Sequence, residues 1–362
     1  MKAKVIDIDP KLFEYHGVLS YPNVKDINLG LSYVLKPLYG NNAVFSKKHY
    51  TKTGNFVLGP EYEEKMDGNI EEIKKQEENL DVIINSNANI DKTWLDTLYF
   101  CEYCFRYTNL KDDLTNHIEN CYYKHNLPGR HVYIGDEYLI KKVSTQTHAL
   151  FLQCMCLFTK FFLDNKSSFC NIEEFEFYVL YAKESDTELS IRNKPLGFFS
   201  KQIGSLSFES LSSIMIIPPY TKRKLGTLLI EFSYAIGIHE LTSFGKMISS
   251  KEVITTGPES PLSPFGLSLY LNYWQKVLVK KMIEYRNKKD IGNVSLIRYL
   301  INETHFEPNN IILTLKSIEC IKVSKKRNSK FIDWDVVEQF YKRKNLINHK
   351  PLINNDELLF HY

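Results

Sequence analysis

Four residues in one short stretch have the types and spacing of a metal site: Cys101-x₂-Cys104-x₁₂-His117-x₃-Cys121. Two thiolates so placed bind one ion from a tight turn, and a His and a Cys four positions apart share one helix face, completing a tetrahedron. Zinc accepts this ligand mixture without redox chemistry, and with every position filled by protein the expected Zn²⁺ is structural. A finger that reads DNA is disfavoured, because Leu110-Lys111-Asp112-Asp113-Leu114 offers no set of basic base-reading side chains. Cys154 and Cys156 lie in an apolar run and read as small hydrophobes.

A second stretch, Gly257-Pro258-Glu259-Ser260-Pro261-Leu262-Ser263-Pro264-Phe265-Gly266, holds one carboxylate in a loop stiffened by three prolines. A lysine amine is protonated near neutral pH and attacks a thioester only after losing that proton, for which a partly buried carboxylate is a suitable acceptor. A lone loop Glu is also commonly exposed and idle. Thr221-Lys222-Arg223-Lys224-Leu225-Gly226-Thr227 sits between a strand-like and a helix-like segment, where unpaired backbone N–H groups and a positive dipole end suit a diphosphate. Such basic loops are often merely solvated.

The elements that must position these residues follow from the hydrophobic pattern. Phe175 to Tyr181 reads as a strand, as do Pro195 to Ser200 and Ser212 to Ile217. Leu150 to Leu163 reads as a mostly buried helix. Leu225, Leu228, Leu229, Phe232 and Ile236 form the stripe of an amphipathic helix. Val294 to Val323 reads as short helices with a turn at Glu307-Pro308-Asn309-Asn310, resembling a helix-turn-helix. Small strands are expected before Pro60, around a turn at Pro37 to Asn42.

The 362 residues allow one large domain or two to three small ones, and 43% hydrophobic content with 45 Tyr and Phe residues implies a packed core. Net charge is only +3, but it is uneven: nine acids face three lysines between Glu61 and Asp81, and seventeen cations face eight acids between Gln275 and Lys350. The basic end suits nucleic acid, an acidic protein surface, or simply water. No secretory signal or membrane span is visible, and seven cysteines, an odd number, speak for a reducing compartment.

In order along the chain, the zinc unit, Leu163-Asp164-Asn165-Lys166, the basic loop with Leu228-Leu229-Ile230-Glu231-Phe232-Ser233-Tyr234, and Gly257-Pro258-Glu259 with Pro261-Leu262-Ser263 closely resemble MYST-family histone acetyltransferases. The resemblance runs from about Val24 to past Trp334 and is nearest the budding-yeast SAS-type silencing branch. It implies a mixed α/β (α+β) acetyl-CoA-dependent N-acetyltransferase core, an N-terminal zinc-finger lobe and a C-terminal helix-turn-helix lobe. The corresponding division is 1–60, a strand-rich segment; 61–91, an acidic and Asn-rich linker or insertion; 92–130, the zinc finger; 131–274, the catalytic core; and 275–362, the helix-turn-helix lobe. Glu259 matches the general base, Ile214, Met215 and Ile216 the strand beside the pantetheine arm, and Lys222, Arg223, Lys224, Leu225, Gly226 and Thr227 the pyrophosphate loop. Ser263 matches a further cofactor contact and Lys166 an autoacetylated lysine.

The resemblance further implies a nuclear enzyme acting on a histone tail, by analogy histone 4, within a chromatin-modifying complex whose partner subunits target it to the nucleosome, with non-specific DNA contact at the basic end and no membrane. Three departures stand out. Ser213 replaces the usual cysteine, which favours direct attack in a ternary complex over an acyl-enzyme. Lys224 and Thr227 replace the loop's first glycine and final lysine, so a catalytically weakened or non-enzymatic chromatin subunit is the competing expectation. Extra residues around Leu241 to Glu252 read as a surface loop.

Overall fold

The computed structural model describes residues 24–38, 95–163, 171–183, 192–204, 208–248, 254–288, 294–324 and 329–360. The acidic 61–91 stretch, most of the Pro37–Asn42 turn, and Lys166 lie outside these residues. The chain gathers into two units. One holds the described residues between Tyr15 and Phe198 with Met215–Thr221, and the other those of Phe199–Ile214 and Lys222–Tyr362.

In the first unit, β1 (Val24–Leu29) pairs antiparallel with β2 (Tyr33–Leu35) and parallel with β3 (Leu95–Phe100), whose other edge carries β4 (Tyr107–Thr108). Helix α1 (Lys111–Asn120) follows. Strands β5 (Arg130–Ile134), β6 (Tyr138–Val143) and β7 (Phe175–Ala182) form an antiparallel meander. Five consecutive residues of β7, Phe177 to Tyr181, are buried, as a strand covered on both faces requires. Helix α2 (Thr145–Thr159) is capped by the Ser144 hydroxyl, which accepts from the Gln146 N–H. It buries Phe151, Leu152 and every residue from Cys154 to Thr159, and Phe158 packs edge-on against Phe100. The expected helix over Leu150–Leu163 thus begins five residues earlier, at the Ser144 cap, and ends at Thr159. Two more strands, β8 (Pro195–Gln202) and β10 (Ser213–Ile216), give the sheet order β10-β8-β7-β6-β5, and the boundary between the units falls within both.

The second unit contains β9 (Glu209–Leu211), α3 (Leu225–Ile248), β11 (Gly257–Pro258), α4 (Pro264–Asn287), α5 (Leu296–Thr304) and α6 (Pro308–Ser317). A hairpin of β12 (Ile321–Ser324) and β13 (Ser329–Ile332) leads to α7 (Trp334–Arg343). Its core gathers Ile230, Tyr234, Tyr270, Trp274, Phe306 and Val337; the wholly buried Trp274 indole donates to the Tyr234 hydroxyl at 2.8 Å.

Several expectations are corrected here. The expected stripe of α3, Leu225, Leu228, Leu229, Phe232 and Ile236, is buried, but so are Gly226, Thr227, Ile230, Ser233 and Tyr234, so the burial extends well beyond that one stripe. The supposed surface loop from Leu241 continues that helix to Ile248; Ile238 and His239 accept from the hydroxyls of Thr242 and Ser243, which tolerate the helical backbone. Helices α5 and α6 form the expected helix-turn-helix pair, but the turn lies at His305 (φ 56°) and not at Glu307-Pro308-Asn309-Asn310, whose Pro308 opens α6, and Ile321–Val323 is strand rather than helix. Residues 274 and 275 both lie within α4.

Candidate functional site

In the first unit, β3 ends one residue before Cys101. The Cys101 N–H donates to the Arg106 carbonyl at 2.8 Å, and the Phe105 N–H to the Cys101 carbonyl at 2.9 Å. Phe105 takes a left-handed φ of 60°, closing the tight turn that presents Cys101 and Cys104 together. His117 projects from α1. Cys121 is the residue that caps α1 rather than a member of its last turn, so the expected shared helix face is replaced by a helix end, with Cys121 at φ −67°, ψ 117°. The four ligand atoms lie within 4.8 Å of one another, and the three cysteines are all but inaccessible. Cys101 Sγ and Cys121 Sγ are 3.8 Å apart, and Cys104 Sγ and His117 Nε2 3.1 Å. Zinc–sulfur bonds of about 2.3 Å in a tetrahedron separate sulfurs by about 3.8 Å, so the donor set fits Zn²⁺. Three buried thiols cannot all ionise unaided: donating to Cys104 and Cys121 pushes the Cys101 thiol up, while accepting from Cys101 holds Cys121 down.

The carboxylate site lies in the second unit and is built from backbone. Strand β11 pairs parallel with β9, Gly257 opposite Glu209 and Pro258 opposite Leu211. The ladder continues one step further, with the Glu259 N–H donating to the Leu211 carbonyl at 2.8 Å, so the half-buried Glu259 follows directly from the paired strand. The approach to it is held on three sides. The Thr256 N–H donates to the His305 carbonyl at 2.8 Å, the Thr256 hydroxyl to the Phe208 carbonyl at 2.7 Å, and the Ser210 hydroxyl to the Gly257 carbonyl at 3.3 Å. Helix α3 crosses this strand at Gly237, where a Cβ would lie 2.6 Å from Thr256 Oγ1 and 3.2 Å from Ser210 Cβ. Only glycine permits that approach.

The turn that supplies His305 belongs to the α5–α6 connection, so the helix-turn-helix supports the strand that carries Glu259. Neither β9 nor β11 is long enough to show alternation in sequence. Gly237 inside a helical pattern was the only signal of a close approach.

The basic loop also falls in this unit. Lys222, Arg223 and Lys224 are exposed, whereas Leu225, Gly226 and Thr227 are buried at the start of α3. The Leu228 N–H closes the first turn onto the Lys224 carbonyl, so the N–H groups of Leu225, Gly226 and Thr227 are the end donors that an anion takes up. Lys222 and Lys224 have φ of 67° and 62°, the left-handed region that costs a side-chain-bearing residue energy. Lys224 stands where the resembled motif has its first glycine, and the backbone conformation explains that glycine.

Of the strand residues, Ile214 is half-buried in this unit; Met215, buried, and Ile216, half-buried, continue β10 into the other unit, where Gly197 lets β8 lie close, since a Cβ there would fall 2.6 Å from Ile216 Cδ1. The buried Ser213 Oγ has no hydrogen-bond partner among the described residues. Ser263 caps α4, its Oγ accepting from the Gly266 N–H at 3.1 Å, which leaves its hydroxyl proton to donate elsewhere. The structure therefore gathers Ile214, Lys222–Thr227, Glu259 and Ser263 in one unit, and the cluster Cys101, Cys104, His117 and Cys121 in the other.

A family model described as the MOZ/SAS family matches residues 126–358. The histone acetyltransferase SAS2 of Saccharomyces cerevisiae is 36% identical over 84% of this chain and 77% of its own length. The histone acetyltransferase MOF of Drosophila melanogaster is 30% identical over 73% of this chain and 29% of its own length. A histone acetyltransferase of the MYST family in Arabidopsis thaliana is 31% identical over 68% and 50%. The chain thus spans half or less of the fly and plant relatives but most of the yeast one. With the matched region taking in the basic loop, the Glu259 strand and the helix-turn-helix, the chain belongs to the MOZ/SAS family, the MYST-type histone acetyltransferases.

Proposed function

We propose that this chain transfers an acetyl group from acetyl-CoA to a lysine of a histone tail, that of histone 4, in the nucleus, with Glu259 as general base. The substrate ammonium gives a proton to the Glu259 carboxylate, directly or through water. The freed amine attacks the thioester carbonyl, the C–S bond breaks, and the thiolate leaves and takes up a proton. The Leu225–Thr227 N–H groups, with Lys222, Arg223 and Lys224, bind the diphosphate; the backbone of Ile214, Met215 and Ile216 runs along the pantetheine arm; and the Ser263 hydroxyl adds a donor. Cys101, Cys104, His117 and Cys121 hold Zn²⁺, which stiffens the first unit and takes no part in the reaction. Lys166 is the site of autoacetylation. Partner subunits of a chromatin-modifying complex supply targeting to the nucleosome, and the basic C-terminal residues contact DNA non-specifically.

The single observation that carries this reading is the pairing of β11 with β9, which fixes Glu259 in the same unit as the α3 N-terminus. Direct attack is favoured by Ser213, whose buried hydroxyl meets no base among the described residues. The competing reading, a family member without turnover, draws on the left-handed Lys224. Mass spectrometry of histones and nucleosomes incubated with acetyl-CoA and either wild type or Glu259→Gln separates them. Acetylated histone 4 lysines with wild type alone support the enzyme; identical spectra from both proteins contradict the base.

A further inference from the structure

Between α5 and α6, His305 bonds twice to the run that carries Glu259. Its carbonyl accepts from the Thr256 N–H at 2.8 Å, and its ring Nδ1 lies 3.1 Å from the Ile254 carbonyl. A carbonyl only accepts, so Nδ1 carries the proton and donates. Thr256 also bridges Phe306 in parallel, whereas Gly257 and the Glu259 N–H pair with β9. Alternate backbone groups of a strand point to opposite sides, so the 254–259 run lies between β9 and the His305–Phe306 turn. That turn is fixed from within. The Thr304 hydroxyl donates to the Leu300 carbonyl at 2.7 Å and accepts from the Phe306 N–H at 3.2 Å, and the buried Phe306 ring packs against Tyr234, Tyr273 and Trp274. His305 itself takes a left-handed φ of 56° at the end of α5, a place where glycine sits without strain. The ring's hydrogen bond to Ile254 offsets part of the cost of keeping a side chain there.

We propose that His305 is a positioning residue for the general base: its imidazole fixes the Ile254 carbonyl, and with it the entry of the strand that leads to Glu259, to the turn between α5 and α6. The inference rests on the reading of Glu259 as base given above. The bond at Thr256 alone sets where this strand lies but lets it pivot; the second bond, two residues back, sets its direction as well. A misplacement of about 1 Å at the reacting centre costs on the order of a hundredfold in rate, so a small pivot is enough to matter. The tie acts on the base and not on the donor, so its loss falls on kcat and leaves coenzyme A affinity alone.

The test compares the full chain as wild type, His305→Gly, His305→Asn and Glu259→Gln, with kcat and KM from acetyl transfer, coenzyme A binding by calorimetry, and Tm. His305→Gly keeps the carbonyl and suits the left-handed backbone but loses the ring donor. Its kcat is expected to fall about ten- to a hundredfold, with coenzyme A affinity unchanged. Relief at the backbone offsets the lost hydrogen bond, so Tm should stay within about 4 °C of wild type. Activity and stability thereby separate, which a merely structural role does not produce. Asn tolerates a left-handed φ and carries an amide N–H where the ring has Nδ1, so His305→Asn should keep kcat within about threefold of wild type. Wild-type kcat in His305→Gly, or an equal loss in His305→Asn, would overturn the inference alone when Glu259→Gln is inactive. A Glu259→Gln chain as active as wild type would overturn the base assignment and the inference with it.

Discussion

The zinc cluster and the Glu259 site are built on opposite principles. Four side chains make the first, and their types and spacing are written within twenty-one consecutive residues, 101–121. Backbone makes the second: a two-residue strand, a three-residue strand, a helical glycine and a turn from the helix-turn-helix, drawn from positions 208 to 305. A side-chain site survives changes in its surroundings but not in its ligands. A backbone site depends on residues that carry no functional group at all.

The largest expected effect lies on the side-chain half of that contrast. A structural zinc contributes on the order of 10 kcal/mol, as much as the whole stability of a typical domain. Cys104→Ala, or removal of the metal by a chelator, should therefore abolish cooperative unfolding of the first unit. Metal analysis should give one zinc per wild-type chain and none in the variant; retained zinc with an unchanged melting curve would break the contrast.

Next comes Glu259→Gln, which keeps shape and backbone hydrogen bonds but removes the proton acceptor. A fall in kcat of roughly a hundred- to ten-thousand-fold is expected, with coenzyme A affinity and thermal stability unchanged. A smaller change tests the backbone principle itself. Gly237→Ala places a methyl group against Thr256 and should cost about 1–3 kcal/mol, read as a lower Tm, and lower kcat as the Glu259 strand is displaced. Unchanged kcat would mean that α3 does not set the position of that strand.

The smallest effect is a gain. Lys224→Gly relieves a left-handed side-chain-bearing residue and should raise stability by about 0.5–1 kcal/mol. Its effect on acetyl-CoA affinity sharpens the account further: tighter binding means the backbone approach matters most, weaker binding means the lost ammonium does.

How much of this was legible in sequence follows the same division. The zinc ligands, β7, and the order strand, basic loop, helix could be read directly, because each is a local pattern. The length of α3 was missed because Thr242, Ser243 and Gly245 resemble a loop, although the hydroxyls bond back to the helix. Strand β12 falls at the end of the span expected to be helical, because its four residues are too few for a period to declare itself. The supports of Glu259 were invisible for a deeper reason. Thr256 meets Phe208 and His305 from 48 and 49 residues away, and no spacing rule reaches that far.

The most direct test of the account is a crystal structure of the chain with coenzyme A. The account predicts the diphosphate on the Leu225, Gly226 and Thr227 N–H groups, the pantetheine arm along Ile214 to Ile216, and the sulfur within reach of the Glu259 carboxylate through at most one water and the incoming amine. Coenzyme A bound elsewhere, or a Glu259 side chain turned away from the sulfur, would contradict it.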